Sequence, residues 1–112
     1  MRIAIPLAEG QLSLHFGHCE EFAIVDVDLQ EKRITGTQTI TAPHHAPGVL
    51  PQWLGQQDVT VVIAGGMGSR AQMLFAQNGI DVVVGAVAGG PEEVVKAYLD
   101  GTLETGANIC DH

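Results

Sequence analysis

Apolar positions along the chain follow two different rhythms. In the N-terminal part they come as short runs broken by turn residues. Residues 2–8 (RIAIPLA) are apolar up to a Glu-Gly pair, and 22–28 (FAIVDVD) are β-branched and aromatic. Residues 33–41 (RITGTQTIT) alternate, with threonines at 35, 37, 39 and 41 set against Ile34 and Ile40. These runs predict three strands, and the period of two predicts that the third keeps one face in water. Leu29 to Lys32 then serve as a hairpin connection. From residue 59 the rhythm changes, because 59–64 (VTVVIA) and 81–85 (DVVVG) are nearly continuous apolar runs, the pattern of parallel strands covered on both faces. Helices must supply that cover. Ala71, Leu74 and Phe75 fall on one helical face, and Asn78-Gly79 supplies a left-handed stop. Pro91, Glu92 and Glu93 open a second helix, Val94, Val95, Tyr98 and Leu99 form its stripe, and Gly101 ends it. A shorter helix is predicted over 48–57, with Pro51 in its first turn and Trp53 and Leu54 facing inward.

The first three strands as an antiparallel meander would bring the ends of strands one and three to the same side. If the parallel strands share that direction, the loops at 9–20, 42–48, 65–70 and 86–90 emerge at one rim. Open α/β sheets bind ligands at that end.

Composition narrows the classes. A chain of 112 residues with 46% hydrophobic content supports one domain, 1–112, and not two. Five Lys and Arg against 13 Asp and Glu leave a net charge of −8, which repels a phosphate backbone, so nucleic acid is not an expected partner. No apolar run reaches the roughly 18 residues a membrane span needs, and the run after Arg2 is broken at Pro6, too early for a secretory segment. The expected location is the cytoplasm, where Cys19 and Cys110 are read as thiols.

The predicted rim loops carry most of the unusual side chains. His15-Phe16-Gly17-His18-Cys19 sets two imidazoles and a thiol within five residues, a donor set that suits soft or borderline metals. Its plainer explanation is a histidine pair that caps or packs beside a buried cysteine. Pro43-His44-His45-Ala46-Pro47-Gly48 adds two more imidazoles, or is simply a solvated loop. Gly65-Gly66-Met67-Gly68-Ser69-Arg70 follows a buried strand and opens a helix, so free amides, a helix dipole and Arg70 suit an anion. A tight turn that needs small residues explains the same glycines. Gly66, Gly68 and Ala71 fit a weak dinucleotide fingerprint, but the acidic residue expected at the end of the next strand is missing. The chain ends Cys110-Asp111-His112, within extended reach of the rim, although a frayed terminus is the default. Neither zinc-finger spacing nor a nucleophile-base-acid triad is present.

The segments IAIPLA, HFGHCEEF, APHHAPGVLPQWL, VVIAGGMGSRA, GIDVVVGA and GTLETGANICDH together resemble the dinitrogenase iron-molybdenum cofactor biosynthesis domain family along essentially the whole chain. That resemblance implies an α/β fold of ribonuclease H type, with a mixed five-stranded sheet and flanking helices. It also implies binding of metal-sulfur clusters or their precursors. The cargo would be an iron-molybdenum precursor or a molybdenum-copper-sulfide cluster, the latter held without covalent attachment as in the family's small orange-protein members. On this basis Gly65, Gly66, Met67, Gly68 and Arg70 would receive the cluster's charge, and His15, His18, His44 and His45 would donate or ligate. Phe16 and Met67 would keep water away. Cys19, with His15 and His18, would supply direct metal bonds, unless sulfides of the cargo already satisfy the metals.

Three functional classes follow. The first is a non-catalytic carrier or storage protein for an anionic metal-sulfur cluster, which would exchange cargo with a delivery or acceptor protein. The second is a nuclease-like enzyme, which would need carboxylates converging on a divalent metal; Asp26 and Asp28 lack acidic companions at the rim. The third is a regulatory or interaction module that binds a simple ion or a protein through its histidines.

Overall fold

The computed structural model describes residues 1–13, 16, 19–43, 48–86, 89–103 and 105. The elements are β1 (Arg2–Ala8), β2 (Gln11–Leu12), β3 (Glu21–Asp28), β4 (Arg33–Thr41), α1 (Val49–Gln56), β5 (Val61–Ile63), α2 (Ser69–Gln77), β6 (Asp81–Val83) and α3 (Pro91–Asp100). They form a mixed sheet in the order β4-β3-β1-β5-β6, with β2 paired to β1 off that path. β1, β3 and β4 are the antiparallel meander, and β1, β5 and β6 run parallel.

The period of two sorts the strand side chains onto two faces. Ala4, Phe22, Ile24 and Val62 point to a cluster covered by Leu50 and Leu54 of α1 and Phe75 of α2. Ile3, Ile5, Val25 and Ile63 point the other way, beneath Val94 and Val95 of α3. Fully burying such a side chain contributes about 1.5–3 kcal/mol, which explains how three-residue strands such as β5 persist. The predicted terminators hold: Gly79 and Gly101 are left-handed, both with φ of 73°, and Pro91 occupies the first turn of α3.

Three expectations are corrected. The sheet has six strands rather than five, because Glu9 (φ 54°) and Gly10 (φ 80°) make a two-residue turn with both φ positive and fold Gln11–Leu12 back on β1. The apolar run at 81–85 does not make a strand sealed on both faces. β6 ends the sheet, and its residues are exposed at Asp81 and half-buried at Val82 and Val83. Ile34 and Ile40 also do not share a face. Pairing passes from Asp26–Gly36 to Val27–Ile34, leaving Thr35 as a bulge, and the extra residue flips the alternation. Ile40 therefore joins the α1/α2 cluster and Ile34 the α3 cluster.

Among the described residues, no helix is long and apolar enough to cross a membrane.

Candidate functional site

The carboxyl ends of β1, β5 and β6 share one end of the sheet, and the segment after β1 knits that end together. The Phe16 amide donates to the Gly66 carbonyl (2.9 Å), the Leu12 amide to the Gly89 carbonyl (3.1 Å), and the Ala42 amide to the Glu20 carbonyl (3.1 Å). One segment thus bonds to each of the other three rim segments. Gly85 donates to the Gly65 carbonyl (2.6 Å), which closes the loops after β5 and β6 on each other. Beyond α3 the chain returns to the same end, where Thr105 bridges Ala86. His15, His18, His44 and His45 lie outside the described residues, as do Cys110, Asp111 and His112.

Phe16 stands between His15 and Gly17 in the chain, and its ring fastens the segment to the core. It is 8% exposed and meets Phe75 edge-on at 5.5 Å and Phe22 at 6.1 Å. Phe22 in turn meets Trp53 at 5.8 Å. Met67 is fully buried in the same cluster. Both side chains therefore lie beneath the rim as an apolar floor. Cys19 is buried there too, with its amide donating to the Phe16 carbonyl (3.2 Å). Burial disfavours the thiolate and pushes the Cys19 thiol up to about 11, against an opposing backbone hydrogen bond.

The glycine corner supplies the positive element. Gly65 and Gly66 are buried, and Gly68 caps α2 in an extended conformation with no side chain to offer. The first turn of α2 contains no acidic residue, so its first amides and the helix dipole meet no carboxylate from their own helix. α3 differs, since Glu92 and Glu93 sit in its first turn. Arg70, in the first turn of α2, is exposed. Among the described residues it makes no ion pair, whereas Arg2 pairs with Asp26 and Arg33 with Glu31, both at 2.8 Å. Carboxylates stand nearby: Glu20 accepts from the Glu9 amide (3.4 Å), and Glu93 lies against Gly89 and Gly90.

One supporting residue carried no sequence signal. Gln72 donates from Nε2 to the Met67 carbonyl (2.9 Å), holding the turn from inside the helix it opens. Gln72→Ala is expected to cost about 0.5–1.5 kcal/mol in chemical denaturation and to speed amide exchange at Gly68 and Ser69. Unchanged exchange there would mean that the turn holds its shape without Gln72.

The family model for dinitrogenase iron-molybdenum cofactor matches residues 1–101. A curated relative from Methanocaldococcus jannaschii, Uncharacterized protein MJ0580, is 32% identical over 107 residues, covering 93% of this chain and 90% of the relative. The crystal structure of PH0822 is similar with a TM-score of 0.86 at 31% identity, covering 96% of both chains. The apo form of the orange protein from Desulfovibrio gigas shares the fold, with a TM-score of 0.71 at 22% identity over 96% of this chain and 93% of that one. With the family model matching residues 1–101 and a relative 32% identical over 93% of this chain, the chain belongs to the dinitrogenase iron-molybdenum cofactor family.

Proposed function

We propose that this protein binds and carries an anionic metal-sulfur cluster at the rim, without catalysing a reaction on it. The observation that carries this reading is the Phe16–Gly66 backbone bond, which joins the segment holding His15 and His18 to the glycine corner. The donor chemistry suits such a cargo. The amides opening α2 and the Arg70 guanidinium favour negative charge, and Phe16 and Met67 give the corner an apolar floor. His15, His18, His44 and His45 are the proposed donors or ligands around it. Because the Cys19 thiol is buried, a metal bond to its sulfur requires release of a proton. Cargo whose own sulfides satisfy its metals would leave Cys19 as a neighbour beneath the site. Membership of the family supports an iron-molybdenum precursor or a molybdenum-copper-sulfide cluster as cargo, and a delivery or acceptor protein as partner.

Protein mixed anaerobically with tetrathiomolybdate and copper is expected to develop charge-transfer absorption that co-elutes with it in gel filtration. Colour found wholly in the small-molecule fraction would overturn the carrier reading. Tight calorimetric binding of bare copper or zinc, with no preference for the thiometallate, would favour a simple-ion module instead. Arg70→Ala is expected to weaken retention by about 1–2 kcal/mol, since a charged hydrogen bond from an exposed guanidinium is partly solvent-screened. Thermal stability should stay unchanged, because Arg70 supports nothing in the core.

A further inference from the structure

At the end of the sheet opposite the rim, the β3–β4 hairpin and the last turns of α3 enclose a depression of about 240 Å³ lined by Lys32, Arg33, Ile34, Lys96 and Leu99. Three of the five cationic side chains of a protein with net charge −8 thus surround one cavity. The other two, Arg2 and Arg70, are tied to Asp26 or stand at the rim. Ile34 and Leu99 are half-buried against the α3 cluster and give the depression an apolar floor. Among the described residues, the ion pair at the depression is Glu31 on Arg33 at 2.8 Å, with side chains 60% and 66% exposed, while Asp28 accepts from the Gln30 and Glu31 amides of the same turn. An exposed pair of this kind is worth at most about 1 kcal/mol, so an incoming carboxylate can replace it.

We propose that this depression docks an acidic, extended segment of a partner protein, with one aliphatic side chain seated between Ile34 and Leu99 and flanking carboxylates on Lys32, Arg33 and Lys96. Size selects the occupant. Small-molecule sites run to about 300–1,000 Å³, and this volume suits one or two side chains. Charge selects it again, because the rest of the acidic surface repels an acidic partner and steers it to this pole. β4 ends the sheet beside the depression, so its outer edge offers backbone groups to an extended chain. A partner seated here leaves the opposite rim clear.

The test uses the whole, cargo-free protein, so its outcome is separate from that of cluster retention. Isotope-labelled protein is titrated with a short Asp/Glu peptide carrying one central leucine, with an alanine-centred version, and with a Lys version of the same length. Saturable amide shifts are expected at 32–34, 96 and 99 with the leucine peptide, weaker ones with alanine and none with the Lys peptide. The exposed Lys96→Glu substitution should weaken binding roughly three- to tenfold without changing the melting temperature. Shifts centred on 65–70, equal binding of the Lys peptide, or no saturable shift at millimolar peptide would each overturn the assignment. Concentration-dependent dimerisation abolished by Lys96→Glu would overturn it too, by identifying a second copy as the occupant.

Discussion

Phe16→Ala is expected to lower folding stability by about 3 kcal/mol and to abolish retention of a rim-bound cluster in the same variant. Truncating a buried phenylalanine costs about 3–5 kcal/mol. The lower end applies because Phe16 keeps 8% of its surface exposed, so truncation forfeits less than the burial of a fully enclosed ring. The loss comprises burial of the ring and its two edge-on contacts with Phe75 and Phe22. Its functional part has a different origin. With the ring gone, the Phe16–Gly66 bond is what still ties this part of the segment to the glycine corner among the described residues, and a single net hydrogen bond is worth only about 1 kcal/mol. Trp53 is the sole tryptophan and touches Phe22, so its fluorescence reports the unfolding transition directly. Phe16→Leu keeps most of the volume and should fall between the parent and the alanine variant. An alanine variant within 1 kcal/mol of the parent would show that the ring does not anchor the rim.

Alkaline pH is expected to destabilise the protein through Cys19. Its thiol is raised by burial from 9.0 to about 11, so below pH 9 both folded and unfolded chains keep it protonated and its contribution is fully present. Between these values the unfolded chain releases the proton first. Stability therefore falls as pH rises, and the loss is complete above about 11. At 1.36 kcal/mol per pH unit the window corresponds to roughly 2–3 kcal/mol. Denaturant titrations at pH 8, 9, 10 and 11 on the parent and on Cys19→Ala isolate this component, because every other titrating group is common to both. The alanine variant should start slightly less stable and decline less steeply. Parallel curves would mean that the thiol ionises in the folded state as readily as in the unfolded one. If Cys19 bonds metal, uptake should also release a proton and strengthen with pH.

Much of the architecture was legible from local patterns. The three antiparallel runs, the helix around Trp53 and the capped helix from Pro91 to Gly101 each rest on signals contained within about ten residues. Errors arose where a decision depends on a neighbour. The extra residue at Thr35 can be counted only against β3, and an apolar run such as DVVVG reads the same at a sheet edge as at its centre. The β2 hairpin was missed because Glu9-Gly10 is a weak turn signature compared with Asn-Gly. That Phe16 and Met67 lie in the core cluster beneath the rim is likewise set by packing. Hydrophobic identity says that a side chain avoids water without saying which surface hides it.

By itself the sequence determined the order of the helices and of every strand but β2, the α/β class, the net negative charge and the loops in which uncommon side chains gather. Each follows from periodicity or composition along a single stretch of chain. Only the tertiary structure decided that the Phe16 segment touches Gly66 and that Lys96 joins Lys32 and Arg33 around one depression at the far end. Those are contacts between residues far apart in sequence, set by strand order and by which face each element buries, and no local pattern encodes a distance between two loops.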